Sequence, residues 1–378
     1  MLDVFTPTAL PPEESLPQSR TWMRLVLLAL GAVALLTGLW GAIERLGWML
    51  PSGSSLATFH GPLMISGLFG TLISLERAVA LNQRWSYAAP AFSGLGTLFL
   101  VAGAPEGLGA GAYAAAAAVL TGASLRITVQ QPAVFTGTLL FGALAWFGGN
   151  ALWFLGQPVP DLVGWWLAFL ILTIAGERLE LSRLMPQRRG GEALFLFAVG
   201  LLVTGAQNGL MTENGAVLFG LALIVTTLWL VRHDIARENI RRTGQTRFMA
   251  ACMLGGYAWL GVAGAGLIVF SPGEHRFGYD IALHAVLIGF VLSMVYGHAL
   301  IILPAVARIR VAYVPSLYAP LLLLHTSLAL RAGAGLAGWE AARKGSGLLT
   351  LLAIATFIGC LVMVARRRRA ARSARLGP

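Results

Sequence analysis

The sequence predicts an all-α membrane protein, a bundle of about twelve transmembrane helices, and three observations predict it. First, 57% of the 378 residues are hydrophobic and only 11% are charged, where a soluble chain carries roughly 25% charged residues. Mean hydropathy is +0.75. Too little polar surface is present to cover a water-soluble body. Second, apolar runs of about 20 residues recur along the whole chain, and that is the length a helix needs to cross a bilayer. Third, arginines gather in alternate segments between those runs, which is a topology signal.

The runs follow in order. Residues 1–21 are polar, acidic and Pro-rich. They lack a basic start and a short apolar stretch, so a cytoplasmic tail is expected there rather than a signal peptide. The spans are expected at 22–43, 56–80, 86–104, 108–128, 133–155, 162–183, 192–207, 215–232, 247–270, 279–303, 312–332 and 346–365. The fourth is Gly-rich and weakly apolar, and the seventh is short, so eleven is the alternative count. Twelve fits the charge pattern better. Residues 22–366 are expected to form one transmembrane domain, followed by a basic tail over 367–378.

With twelve spans, one side of the membrane carries Arg77, Arg84, Arg126, Arg183, Arg188, Arg189, the stretch RHDIARENIRR, Arg308, Arg310 and the arginine-rich tail. The other side carries Glu106, Asp161, Glu213, Glu274 and Glu340. The positive-inside rule puts both termini in the cytoplasm of a bacterial-type inner membrane. The net charge of +11 therefore serves topology and does not mark a nucleic-acid footprint; the partner it implies is the lipid bilayer. Cys252 and Cys360 both lie within apolar runs, too far apart for a thiolate metal site, and read as small buried hydrophobes.

Four of the six histidines fall inside spans: His60, His284, His298 and His325. Polar groups within a bilayer are costly and face the protein interior or a cavity. His233 and His275 fall in loops. Under the expected topology His60, His284 and His325 lie at similar depth in the outer half, and His298 lies about 21 Å deeper than His284 at 1.5 Å per residue. Two histidines at one depth on facing helices suit a bis-imidazole haem b, with His60, His284 and His325 as candidate ligands. Arg45, Arg276 and Arg331 lie near the outer surface, where they could hold haem propionates. Gly67, seven residues after His60, leaves room either for a flat macrocycle or for close helix packing. Hydrogen bonding of each histidine to a neighbouring helix is the structural alternative.

A second polar group gathers near the cytoplasmic ends of spans 2, 6 and 10: Glu76, Arg77, Glu177, Arg178, Glu180 and His298. Neighbouring Glu and Arg on one helix point about 100° apart, so crosswise pairs Glu76–Arg178 and Glu177–Arg77 are expected. This group reads as a structural network, a proton path, or a metal site that includes His298. Spans 2, 6 and 10 occupy matching places if the chain is three pseudo-repeats of four spans. FHGPLMISG in span 2 and LHAVLIGF in span 10 carry that similarity. No P-loop, GxSxG or HExxH motif is present.

The stretches FHGPLMISGLFGTLISLERAVALNQRW and ALHAVLIGFVLSMVYGHALIILPAVARIR resemble the NnrS family, polytopic haem- and copper-containing membrane proteins of the bacterial nitric-oxide response. The resemblance implies haem ligation by His60 and His284. The family's His-x-His-Glu-Met opening and its Gly-His-Thr-Gly-Arg motif are absent here, so the resemblance speaks for haem more directly than for copper. A more distant likeness is to the catalytic subunit of haem-copper oxidases, with twelve spans and histidines on spans 2 and 10. That enzyme's copper site needs histidines on spans 6 and 7, and this chain has none there.

The expected function is therefore an NnrS-like haem-binding protein of the inner membrane in nitric-oxide or redox stress, with nitric oxide or a redox protein as partner. The alternative is a cofactor-free secondary transporter that uses Glu76, Glu177 and His298 as an ion-coupling site. Neither reading decides whether the protein is an enzyme.

Overall fold

The structure, a computed structural model, describes residues 18–50, 56–182, 190–273, 275, 277–309 and 311–375. Twelve long helices follow in order. They are α1 Gln18–Arg45, α2 Leu56–Leu81, α3 Ala88–Val101, α4 Glu106–Gln130, α5 Val134–Phe154 and α6 Val159–Ser182. There follow α7 Gly191–Asn208, α8 Glu213–His233, α9 Gly244–Val269, α10 Gly278–Ala307, α11 Tyr318–Leu336 and α12 Glu340–Arg375. No strand occurs among the described residues.

Eleven of these helices are long and apolar enough to cross a membrane. The exception is α3, whose 14 residues span about 21 Å against a hydrocarbon core of about 30 Å. The short element is thus the third, whereas the seventh is a full 18 residues. The reason lies at the ends of α3. Trp85–Tyr87 form a tight 3₁₀ turn before it, and Gly103 ends it with a positive φ of 72°, a conformation glycine adopts without strain. Small residues let α3 approach its neighbours closely. A Cβ on Gly96 would come within 2.8 Å of the Tyr113 ring.

The helices around α6 position the site. It is the most buried of the eleven, and it packs against the middles of both α2 and α10. Both of those helices change pitch at the same place. In α2 an α-helical first turn, Leu56–Pro62, gives way to a π-helical stretch, Leu63–Phe69, before α-helix resumes at Gly70. In α10 the same sequence runs Gly278–His284, then π-helix over Ala285–Leu292, then α-helix from Ser293. Pro62 contributes in α2, because its ring removes a donor and crowds the preceding turn. The carbonyl of Ser66 accepts from Ser93 Oγ at 2.6 Å. Trp146 Nε1 donates to Ser66 Oγ, which in turn donates to Asn150 Oδ1, each at 3.0 Å. These bonds satisfy the polar groups of the π stretch inside an apolar core.

The later halves of the two helices, Gly70–Leu81 and Ser293–Ala307, touch. The earlier halves stand apart with a cavity between them. Helices α2, α6 and α10, which the sequence repeat singles out, therefore meet at the centre of the bundle.

Candidate functional site

The cavity measures about 470 Å³, within the range of pockets that enclose drug-sized ligands. Its wall is largely apolar, with Met64, Ile65, Phe69, Leu287 and Ile288 among the lining residues. Histidines from two helices face each other across it. The His60 and His284 rings are nearly parallel, 8° apart, with centres separated by 6.4 Å. Each stands at the start of its helix, just before the π stretch, so the two pitch changes place them at matching heights.

The hydrogen bonds fix the tautomers. His60 Nδ1 lies 2.8 Å from the carbonyl of Gly38, and His284 Nδ1 lies 2.7 Å from the carbonyl of Asp280. A carbonyl only accepts, so both Nδ1 atoms carry the proton and donate. Neither Nε2 makes a hydrogen bond among the described residues. Each ring is thus anchored at Nδ1 to backbone and keeps an unprotonated lone pair at Nε2, the arrangement metal-ligating histidines show. Parallel rings, free Nε2 atoms and an apolar cavity lined by both histidines are compatible with the two holding one haem between the helices.

Cations border the same cavity. Arg331 is 8% exposed, and it grips Asp280 with two bonds, Nε to Oδ2 at 2.9 Å and Nη2 to Oδ1 at 2.6 Å. Its Nη1 remains for another acceptor. Arg45 donates from Nη1 to the carbonyl of Ala57 at 3.3 Å and stays exposed at the cavity edge. Arg343 is held by Glu340 and lies over the Phe277 ring, 5.3 Å from its centre. Arg276 lies outside the described residues.

The other predicted residues are placed elsewhere. His325 faces α9, where its Nδ1 accepts from Trp259 Nε1 at 2.9 Å, and it does not line the cavity. The expected layer of three histidines is therefore a pair. Gly67 serves helix packing: a Cβ there would meet Thr97 Oγ1 at 2.8 Å and Ala34 Cβ at 2.9 Å. Gly61 instead lies on the cavity wall, and its Cβ would meet only Val159, at 3.9 Å.

The second polar group is rearranged too. Neither crosswise ion pair forms among the described residues. Arg178, which is buried, donates from Nη2 to His298 Nε2 at 2.9 Å. His298 Nδ1 donates to the carbonyl of Met294 at 2.7 Å. Both ring nitrogens of His298 are thus engaged, and neither is left for a metal. Glu76, Arg77 and Glu177 are half-buried, and Glu180 is exposed. No group of three or more metal-ligating side chains occurs among the described residues.

Two acids were not singled out by the sequence. Asp280 precedes His284 by one helical turn, a spacing visible in the sequence. Its Arg331 partner is 51 residues away, which no local pattern reveals. Asp234, just beyond α8, accepts from the Ala236 amide at 2.7 Å and from Tyr257 Oη at 2.9 Å. Burial pushes its carboxyl above the usual range, partly offset by the nearby Arg178 charge and these two hydrogen bonds.

A family model described as a domain of unknown function (DUF8744) matches residues 24–366, and the chain belongs to that family. No curated protein and no solved structure matches the chain.

Proposed function

We propose that the protein is a haem-b-binding protein of a bacterial-type inner membrane, with both termini in the cytoplasm and the haem held towards the outer leaflet. The observation that carries this reading is the parallel His60–His284 pair across an apolar cavity, 6.4 Å between ring centres, with both Nδ1 protons committed to backbone carbonyls.

In this reading His60 and His284 would hold the haem iron through their Nε2 atoms. Their backbone anchors restrict rotation of the rings and keep Nε2 unprotonated. Arg45, and Arg331 through Nη1, receive the propionate carboxylates, where charge-assisted hydrogen bonds to arginine are strong. The apolar wall excludes water and favours a low-polarity environment, one of the levers that set a haem's potential. When bound, haem would supply one-electron chemistry. The resemblance to the NnrS family supports nitric-oxide or redox stress as the setting, with nitric oxide or a redox protein as partner. A copper ion alone would need only the two nitrogens and would leave most of the cavity unused, so haem fits better than copper.

The test is an absorption spectrum of the protein purified intact from haem-replete cells. A Soret band near one haem per chain, lost in His60→Ala and in His284→Ala, is expected. A colourless protein overturns the reading. Proton-coupled uptake abolished by Glu177→Gln would then favour the cofactor-free transporter, in which Glu76 and Glu177, close enough for their charges to interact, form the ion site.

A further inference from the structure

The two histidines are anchored differently, and this asymmetry carries a consequence. Each Nδ1–H donates to a backbone carbonyl, but only His284 has a carboxylate beside it as well. Asp280 Oδ1 lies 3.2 Å from His284 Nδ1. His60 has the neutral carbonyl of Gly38 at 2.8 Å and no carboxylate within ion-pair distance among the described residues, although the Asp280 charge reaches it from further away. The carboxylate is itself fixed in place. The forked Arg331 contact occupies both oxygens, and the side chains of Asp280 and Arg331 are 23% and 10% exposed. Arg343 is also close enough for its charge to be felt at Asp280. Asp280 therefore stays in one orientation, with Oδ1 bonded to the arginine and 3.2 Å from the imidazole Nδ1.

We propose that Asp280 is a positioning residue that strengthens His284 as a donor against the opposing charge of Arg331 and so lowers the potential of the site; this rests on the haem reading above. A negative charge at Nδ1–H draws the proton towards itself and pushes electron density through the ring to Nε2, which raises the ligand's basicity. A more basic nitrogen favours the more positively charged, oxidised metal. The Arg331 charge opposes that of Asp280 at His284, so the outcome is set by the geometry of the three-residue chain Arg331–Asp280–His284. Helix α11 supplies the arginine and α10 the other two. The tuning therefore depends on the packing of two helices that share no local sequence signal.

The test is a redox titration of the haem-loaded full-length protein followed by its absorption spectrum, with Asp280→Asn as the variant. Asparagine keeps an acceptor for Arg331 and leaves the backbone carbonyl for His284 untouched, so haem content should be retained. The oxidised-over-reduced preference should fall by tenfold or more, a rise of about 59 mV in a one-electron midpoint. Glu213→Gln is the control. It removes one exposed negative charge from the first turn of α8, away from the cavity lining, and the midpoint should stay near the parent value. Equal rises in both variants overturn the proposal in favour of a general charge effect, and no rise in Asp280→Asn overturns it outright. A second readout works without haem. In haem-free protein labelled with ¹⁵N-histidine, the His284 Nδ1 proton should resonate downfield of the His60 proton, and Asp280→Asn should remove the difference. Coincident resonances in the parent contradict the proposal. A persistent difference in a protein that binds no haem leaves the Asp280–His284 contact standing and rejects the haem reading alone.

Discussion

The two polar layers of this bundle use histidine in opposite ways. Near the start of α10, His284 spends one nitrogen on its own helix and turns the other to a cavity shared with His60. One half of the helix further on, His298 makes the same Nδ1 bond to its own helix, but Arg178 fills the other nitrogen. The residue type, the helix and the backbone anchor are alike; the difference is what meets Nε2. Where a cation reaches it, the histidine closes a buried network. Where a cavity meets it, the lone pair is left for a ligand. What separates the two histidines is the second nitrogen, bonded to Arg178 in His298 and without a hydrogen bond among the described residues in His284.

The largest expected effect separates the layers most sharply. His60→Ala or His284→Ala should reduce haem content more than tenfold, since losing a ligand should exceed the 10–100-fold typical of losing its hydrogen-bond partner. Pyridine haemochrome assay of the purified variants measures this. His298→Leu should leave haem content unchanged but destabilise the protein by about 1–3 kcal/mol, because the buried Arg178 loses its acceptor. Thermal unfolding in detergent reads the second effect, and loss of haem in this variant would break the distinction between the layers.

Glycines extend the contrast. Gly67→Ala should cost about 1–3 kcal/mol by overpacking against Thr97, Ala34 and Tyr113, whereas Gly61→Ala, facing the cavity, should be nearly silent in the same unfolding assay. His325→Ala should leave the spectrum unchanged, since its ring serves Trp259 and not the cavity.

The smallest effect is in pH. Burial holds the Asp234 carboxyl above its ordinary value. Its contribution to stability is then fully present below the unfolded carboxylate pKa and is lost as pH rises through the raised folded value. Unfolding followed across that window should show the parent losing stability relative to Asp234→Asn as pH increases.

The sequence made the apolar runs, and hence the helices, plain, because crossing a bilayer demands length and composition that few other structures share. Eleven expected spans match full-length helices, and only 86–104 shortens, where Gly103 and a 3₁₀ turn cut it at both ends. The facing of His60 and His284 was also legible, through the likeness of FHGPLMISG to LHAVLIGF and the matched depth of the two residues. His325 was misleading because depth fixes height but not azimuth. Its ring turns to α9, which a count of residues along α11 cannot reveal without its packing. The crosswise Glu–Arg pairs failed for a related reason. Arg178 had two candidate partners at its level, and the rotation of α6 brought it to His298. The π stretches were hidden as well, since no local pattern besides Pro62 marks them, yet they set the heights of both histidines.

The most direct measurement is the low-temperature electron paramagnetic resonance spectrum of the oxidised, purified protein, taken beside its absorption spectrum. A low-spin ferric signal of the rhombic kind given by two nearly parallel imidazoles is the expected result, and it should disappear in both His60→Ala and His284→Ala. A protein without a Soret band, or a haem signal that survives both substitutions, contradicts the assignment of His60 and His284 as the ligand pair.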